Sequence, residues 1–193
     1  MKRKIKWGII STAKIAETDL IPAIKKSKNS ELVAVASRNK DKAAKFAKKN
    51  KIKKFYDSYK KICEDKDIDI IYNPLPNHLH VNSTVNAIKN DKHVLLEKPI
   101  TLKSKEVNII SQAAKKNKKI VKEAFMVRHH PQWQWVKKYI NSNKIGKVNG
   151  ITTLFSYKNL DPKNIRNIKR YGDGGLYDIG CYAIVISRYL LNN

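Results

Sequence analysis

Apolar residues along this chain come in short unbroken runs. Ile5–Ile10, Glu31–Ser37, Ile68–Tyr72 and Lys92–Leu96 are rich in Ile, Val, Leu and Ala and end in turn-forming or charged residues. Runs of four to eight residues without a polar face predict strands covered on both sides. Between them the period changes. The turn Ser11–Ala16 leads into a helix to about Lys26. Lys40–Lys49, Ser58–Glu64, Val81–Lys89 and Lys103–Lys116 carry their apolar residues at helical spacing. Lys53–Tyr56 and Lys119–Ala124 complete the series as short strands. Strand and helix in alternation predict an α/β fold, a doubly wound parallel sheet joined by right-handed crossovers.

The texture changes after Ala124, which sets the expected domains at 1–124 and 125–193. Gln132–Asn141 reads as a helix with Trp133, Val136 and Ile140 on one face, and Gly146 marks its end. Lys147–Tyr157 suits an antiparallel strand, Asn159–Tyr171 a polar loop, and Leu176–Leu191 an apolar helix behind Gly172-Asp173-Gly174-Gly175. One strand and two helices do not close a domain, because a lone strand leaves both ladder edges unpaired. The second unit therefore reads as the beginning of an α/β domain with an open mixed sheet, cut short.

Composition narrows the function. No apolar span of membrane length and no leader pattern is present, and Cys63 and Cys181 are the only cysteines, which fits a reducing cytoplasm. The five histidines lack metal-ligand spacing, so no metal is expected. The net charge of +25 raises the question of nucleic acid. Lysine supplies 35 of the 41 basic residues and is spread over every predicted helix. Nucleic-acid clamps favour arginine with aromatics, so neither nucleic acid nor membrane is an expected partner.

Candidate chemistry gathers at the predicted carboxyl ends of the strands, where open α/β sheets bind ligands. After the first strand, Ser11, Thr12, Ala13 and Ile15 form a turn into a helix whose free N–H groups suit a pyrophosphate. Ser11 and Ala13 replace the two glycines of a dinucleotide fingerprint, so small size is kept and glycine's backbone freedom is lost; an ordinary strand–helix turn fits equally. The second strand ends in Ser37 and Arg38 with no acidic residue, which suits a 2′-phosphate and favours NADP over NAD, although a solvated arginine would look the same. The fourth ends in a proline-marked turn with Pro74 and Asn77, then His80. The fifth stops at Glu97-Lys98-Pro99, an ionic pair closed by a residue that cannot continue a ladder.

Five blocks, Ser-Thr-Ala-Lys-Ile-Ala (11–16), Pro-Asn-His-Leu-His (76–80), Lys-His-Val-Leu-Leu-Glu-Lys-Pro (92–99), Glu-Ala-Phe-Met-Val-Arg (123–128) and Tyr-Asp-Ile-Gly-Cys-Tyr (177–182), resemble the Gfo/Idh/MocA oxidoreductases, most closely the dihydrodiol and D-xylose dehydrogenase branch. The resemblance spans Lys6 to about Leu191. It implies a nicotinamide-binding Rossmann domain, then a domain that in full-length relatives forms a dimer. It also implies Lys98 beside the nicotinamide, Asp178 and Tyr182 facing the same cleft, Glu97 near the nicotinamide ribose, Asn77 and His80 lining the cofactor cleft, and a cis bond before Pro99. Asp178 and Tyr182 are four apart, hence neighbours on a helix. Alcohol oxidation needs a proton removed as hydride leaves, and a tyrosine beside a lysine can take it. The expected roles are Tyr182 as acid/base, Lys98 as its electrostatic partner and Asp178 as a further catalytic group, acting on a sugar, polyol or cyclic diol. The alternative is an inactive NADP-binding remnant. Asp173 departs from the family pattern, and exposed apolar surface on Leu176–Leu191 predicts association.

Overall fold

The computed structural model describes residues 3–172 and 174–191, in two compact units, Met1–Glu123 and Ala124–Asn193. Asp173 lies outside the described residues. In the first unit six parallel strands, β1 (Ile5–Ile10), β2 (Ser30–Ala36), β3 (Lys54–Tyr56), β4 (Ile70–Asn73), β5 (His93–Leu96) and β6 (Val121–Glu123), form one sheet in the order β3-β2-β1-β4-β5-β6. This is the doubly wound arrangement expected from the pattern, with the order reversing between β1 and β4.

Because the strands are apolar on both faces, two cores form. On one face Ile9, Val35 and Tyr72 pack with Ile21 of α1 (Ile21–Lys26) and Phe46 and Ala47 of α2 (Lys40–Asn50). On the other, Ile10, Ala34, Ile71, Val94 and Leu96 meet Ile62 of α3 (Tyr59–Glu64), Ala87 and Ile88 of α4 (His80–Lys89) and Ile110 of α5 (Ser104–Lys116). Each fully buried Ile or Leu contributes about 1.5–3 kcal/mol by leaving water. Gly8 sits at a tight point: a β-carbon there would stand 2.9 Å from the Cδ1 atoms of both Ile68 and Ile71.

The helices start and stop where their ends are satisfied. The Asn39 side chain accepts from the Lys42 N–H at 2.8 Å and caps α2, and Lys51 ends it in the left-handed region at φ +58°. Glu106 folds back to accept from the Lys103 and Leu102 N–H groups and fixes the start of α5. Buried Lys92 donates to the carbonyls of Asp65 and Ile68 at 2.7 and 2.8 Å, tying the end of α3 to the entry of β5; its burial lowers its pKa. The first predicted helix begins with a π-helical turn (Ala16–Leu20) before α1.

The second unit contains α6 (Pro131–Asn141), α7 (Cys181–Leu191) and short 3₁₀ turns. The His130 ring caps α6 by accepting from the Gln132 N–H. The helix ends at Asn141, as expected, and Asn143 takes a left-handed turn at φ +58° before Gly146 does at φ +69°. One expectation is corrected here. Lys147–Tyr157 is not a strand: 147–160 joins no ladder among the described residues, and an isolated strand has no hydrogen-bond partner to stabilise it. The apolar helix is present, opened by a π-helical turn (Leu176–Gly180). Leu154, Leu160 and Leu176 are 91%, 77% and 65% exposed. No helix among the described residues is long and apolar enough to cross a membrane.

Candidate active site

The carboxyl ends of β1, β2, β4 and β5 bring most of the first unit's candidate residues to one edge of the sheet. At the reversal of strand order, Ser11 leaves β1 at φ +97°, a conformation that favours glycine. Its N–H donates to the Ala36 carbonyl at 2.8 Å, and its Oγ accepts from the Ala13 N–H at 3.2 Å. A serine thus holds a backbone conformation that favours glycine, without glycine's freedom. Beyond Thr12 and Ala13 the helix opens at Lys14 and Ile15. Its first N–H groups precede any partner within the helix, which is the arrangement that receives a phosphate.

Ser37, next to the end of β2, is buried, with its N–H on the Tyr56 carbonyl at 3.0 Å and its Oγ accepting from the Asn39 N–H at 3.3 Å. Arg38 is exposed beside it. No carboxylate occupies the stretch from Ala36 to Lys40, so a 2′-phosphate would meet a hydroxyl and a guanidinium there.

The turns after β4 and β5 are fastened to each other. Asn73 is fully buried and donates to Ser83 Oγ and Thr84 Oγ1 at 2.8 and 3.1 Å, while its Oδ1 accepts from the Leu75 N–H at 3.3 Å. That fixes the turn carrying buried Pro74 and half-buried Asn77. His80, at the start of α4, is fully buried. Its Nδ1 lies 2.8 Å from the Pro99 carbonyl oxygen and its Nε2 2.7 Å from that of Leu75. Burial holds its pKa below the usual histidine range, against the opposing pull of those two carbonyls. With no surface exposed, His80 stands behind the cleft rather than in its lining, and its expected direct contact with cofactor is corrected accordingly.

Glu97 accepts from the Tyr72 hydroxyl through Oε1 at 2.5 Å and from the Lys98 N–H through Oε2 at 3.3 Å. The Lys98–Pro99 peptide is cis, as the resemblance implied. One residue on, the Ile100 N–H donates to Glu123 Oε1 at 2.7 Å. Tyr72 was not among the expected residues, yet the register contains it. Tyr72 pairs with Leu95, and Glu97 lies two residues further on the same face.

Asp178 and Tyr182 lie in the second unit. Asp178 is buried in the π-helical turn and accepts from the Tyr157 hydroxyl through Oδ2 and from Arg166 Nε through Oδ1, the latter at 3.0 Å. The carboxylate holds the Tyr157 pKa above the usual phenol range, burial adding to it. Asp178 thereby ties Tyr157 and the 3₁₀ turn that carries Arg166 to the helix start. Neither partner carried a motif that would have revealed it. Tyr182 is half-buried, edge-on to Phe125 at a centroid distance of 5.4 Å and tilted against Phe155 at 6.2 Å.

A depression of about 690 Å³ lies at the opposite, amino edge of the sheet, lined by residues that include Arg3, Asp69, Asp91 and Lys119. Those four are paired, Arg3 with Asp69 and Lys119 with Asp91. It faces away from the turns that carry the candidate residues. The described residues hold no cluster of three or more metal-ligating side chains.

Comparison with known proteins agrees with this geometry. Residues 5–125 match the profile of an oxidoreductase family with an NAD-binding Rossmann fold, GFO_IDH_MocA, and residues 133–193 match a GFO/IDH/MocA C-terminal domain. An uncharacterized oxidoreductase of Rhizobium meliloti is 40% identical over 95% of this chain and 55% of its own length. A D-xylose 1-dehydrogenase (NADP(+)) of Haloferax volcanii and a trans-1,2-dihydrobenzene-1,2-diol dehydrogenase of Xenopus laevis are each 33% identical, over 96% and 97% of this chain and 57% of their own. The crystal structure of KijD10, a 3-ketoreductase from Actinomadura kijaniata in complex with NADP and TDP-benzene, superposes with a TM-score of 0.93 at 31% identity, over 98% of this chain and 58% of that one. The chain spans a little over half the length of these relatives.

Proposed function

Because this chain belongs to the Gfo/Idh/MocA oxidoreductase family, we propose that it binds NADP at the carboxyl edge of its sheet and serves hydride transfer at the carbinol carbon of a sugar, polyol or cyclic diol. The observation that carries the reading is the turn at the reversal of strand order. Ser11 holds a glycine-like backbone there, with small Ala13 behind it and a helix N-terminus ahead. These residues fit a pyrophosphate, and Ser37 with Arg38 fits a 2′-phosphate.

When bound, the nicotinamide supplies or accepts the hydride. The chain's own part is positioning and proton management. Ser11, Thr12, Ala13 and Ile15 receive the phosphates through the backbone. Pro74 and Asn77 shape the wall after β4, and Glu97, oriented by Tyr72, borders the ribose. Lys98 stabilises negative charge on the reacting oxygen, and Tyr182 takes or returns its proton. Asp178, held by Tyr157 and Arg166, keeps the start of the tyrosine's helix in place. Two free thiols suit a reducing cytoplasm. A homodimer is proposed for the full-length form.

A second reading keeps the cofactor and drops the turnover. It is favoured by the absence of a ladder partner for 147–160 among the described residues. Titration of NADPH fluorescence, followed by NADP reduction with D-xylose and other polyols, separates the two. Binding with reduction supports the first reading. Binding without reduction by any alcohol supports the second. No binding at millimolar NADPH overturns both, and NADH binding as tightly as NADPH overturns the 2′-phosphate assignment. Lys98→Ala is expected to lower hydride transfer by about 10²-fold or more while changing NADPH affinity only a few-fold.

A further inference from the structure

Lys98 sits in a turn with no regular structure of its own, so something else must set where its ammonium points. The residues on either side of it are held by three neighbours. Tyr72 of β4 holds the Glu97 carboxylate, Glu123 of β6 holds the Ile100 N–H, and His80 of α4 faces the Pro99 carbonyl. The other ring nitrogen of His80 faces the Leu75 carbonyl, so one ring lies between the turn after β4 and the turn after β5. It does so with no exposed surface. A neutral ring carries one N–H, so only one of these two carbonyls accepts from it, and a ring that sees no solvent is not available to a ligand.

We propose that His80 is a positioning residue for Lys98: with its proton on Nδ1 it donates to the Pro99 carbonyl and so fixes the Pro99–Ile100 peptide that follows the lysine. The inference deepens the functional reading above and rests on it for the lysine's role. A positioning role and a merely structural one differ in which ring nitrogen matters. Asparagine can place a donor near Nδ1, and glutamine can place one near Nε2. If His80 only packs the core, His80→Asn and His80→Gln lose alike, and His80→Leu measures the loss of both contacts. If it positions Lys98, the asparagine rescues and the glutamine does not.

Two measurements on the full chain test this without a known substrate. The first is deuterium exchange of residues 97–101. His80→Asn is expected to stay within threefold of the parent, whereas His80→Gln and His80→Leu exchange at least tenfold faster. The second is affinity labelling by periodate-oxidised NADP, whose dialdehyde lies on the nicotinamide ribose and forms an imine with a nearby lysine amine, trapped by borohydride. Labelling of Lys98 is expected to survive in His80→Asn and to fall at least tenfold in His80→Gln and His80→Leu, with NADPH affinity within threefold throughout. Equal exchange in the asparagine and glutamine variants overturns the proposal. If Lys98 is unlabelled in the parent chain, the lysine's placement at the nicotinamide fails, and the exchange ranking still decides whether His80 sets the turn.

Discussion

Ser11 carries a backbone conformation that its side chain opposes. At φ +97° a β-carbon costs about 1–3 kcal/mol, which the surrounding turn must absorb. Ser11→Gly removes that cost and forfeits the weak Oγ contact to Ala13, so a gain of about 1 kcal/mol in urea unfolding is expected, and a loss would refute the strain. His80 makes a second prediction, in pH. Burial holds the folded-state pKa of its ring below the unfolded value of about 6.5. Below that value the unfolded chain takes the proton first, so the contribution is complete above about pH 6.5 and is lost as pH falls toward the folded pKa. The melting temperature of the parent chain should drop between pH 7.5 and 5.5 by more than that of His80→Asn. Equal drops would exclude His80 as the source.

At the scale of elements, the sheet was the most legible part of the sequence. Strands such as Val94–Leu96 are apolar throughout, and both faces are indeed covered. The turn residues were legible by position: Ser11, Ser37, Asn77, Glu97 and Lys98 all lie at the carboxyl edge. Their hydrogen bonds were not, because an Asn73 or a Tyr72 inside an apolar run carries no mark until register places it beside a partner. The second unit was least legible. Period-two alternation in 147–157 signals a strand only if a partner exists, and alternation alone cannot supply one. Gly8 offers the test of element packing. Two Ile side chains fill the space a β-carbon would need, so Gly8→Ala is expected to destabilise by about 1–3 kcal/mol in chemical unfolding, and a neutral result would mean that the Ile68 and Ile71 side chains can move aside.

At the scale of the whole molecule, charge and apolar surface pull in opposite directions. The net charge of +25 keeps copies apart at low salt, and screening weakens that repulsion. Leu154, Leu160 and Leu176 meanwhile present apolar surface on one unit. Sedimentation is therefore expected to show self-association that rises with salt, and Leu154→Lys with Leu160→Lys to reduce it. Association falling with salt would point to ionic contacts instead.

The strand order has one more consequence, which concerns time. β1 precedes the other strands in the chain and lies inside the sheet, between β2 and β4. Its register with β4 joins Trp7 to Ile70 and Ile9 to Tyr72. During synthesis, β1, β2 and β3 emerge before β4. Over that interval the N-terminal half carries an open edge along Trp7–Ile9, the kind of edge that recruits other strands. The cleft forms at the same boundary, since one of its walls is the turn after β1 and the other the turn after β4. The nascent chain thus carries this open edge until the strand that completes its candidate ligand site has emerged.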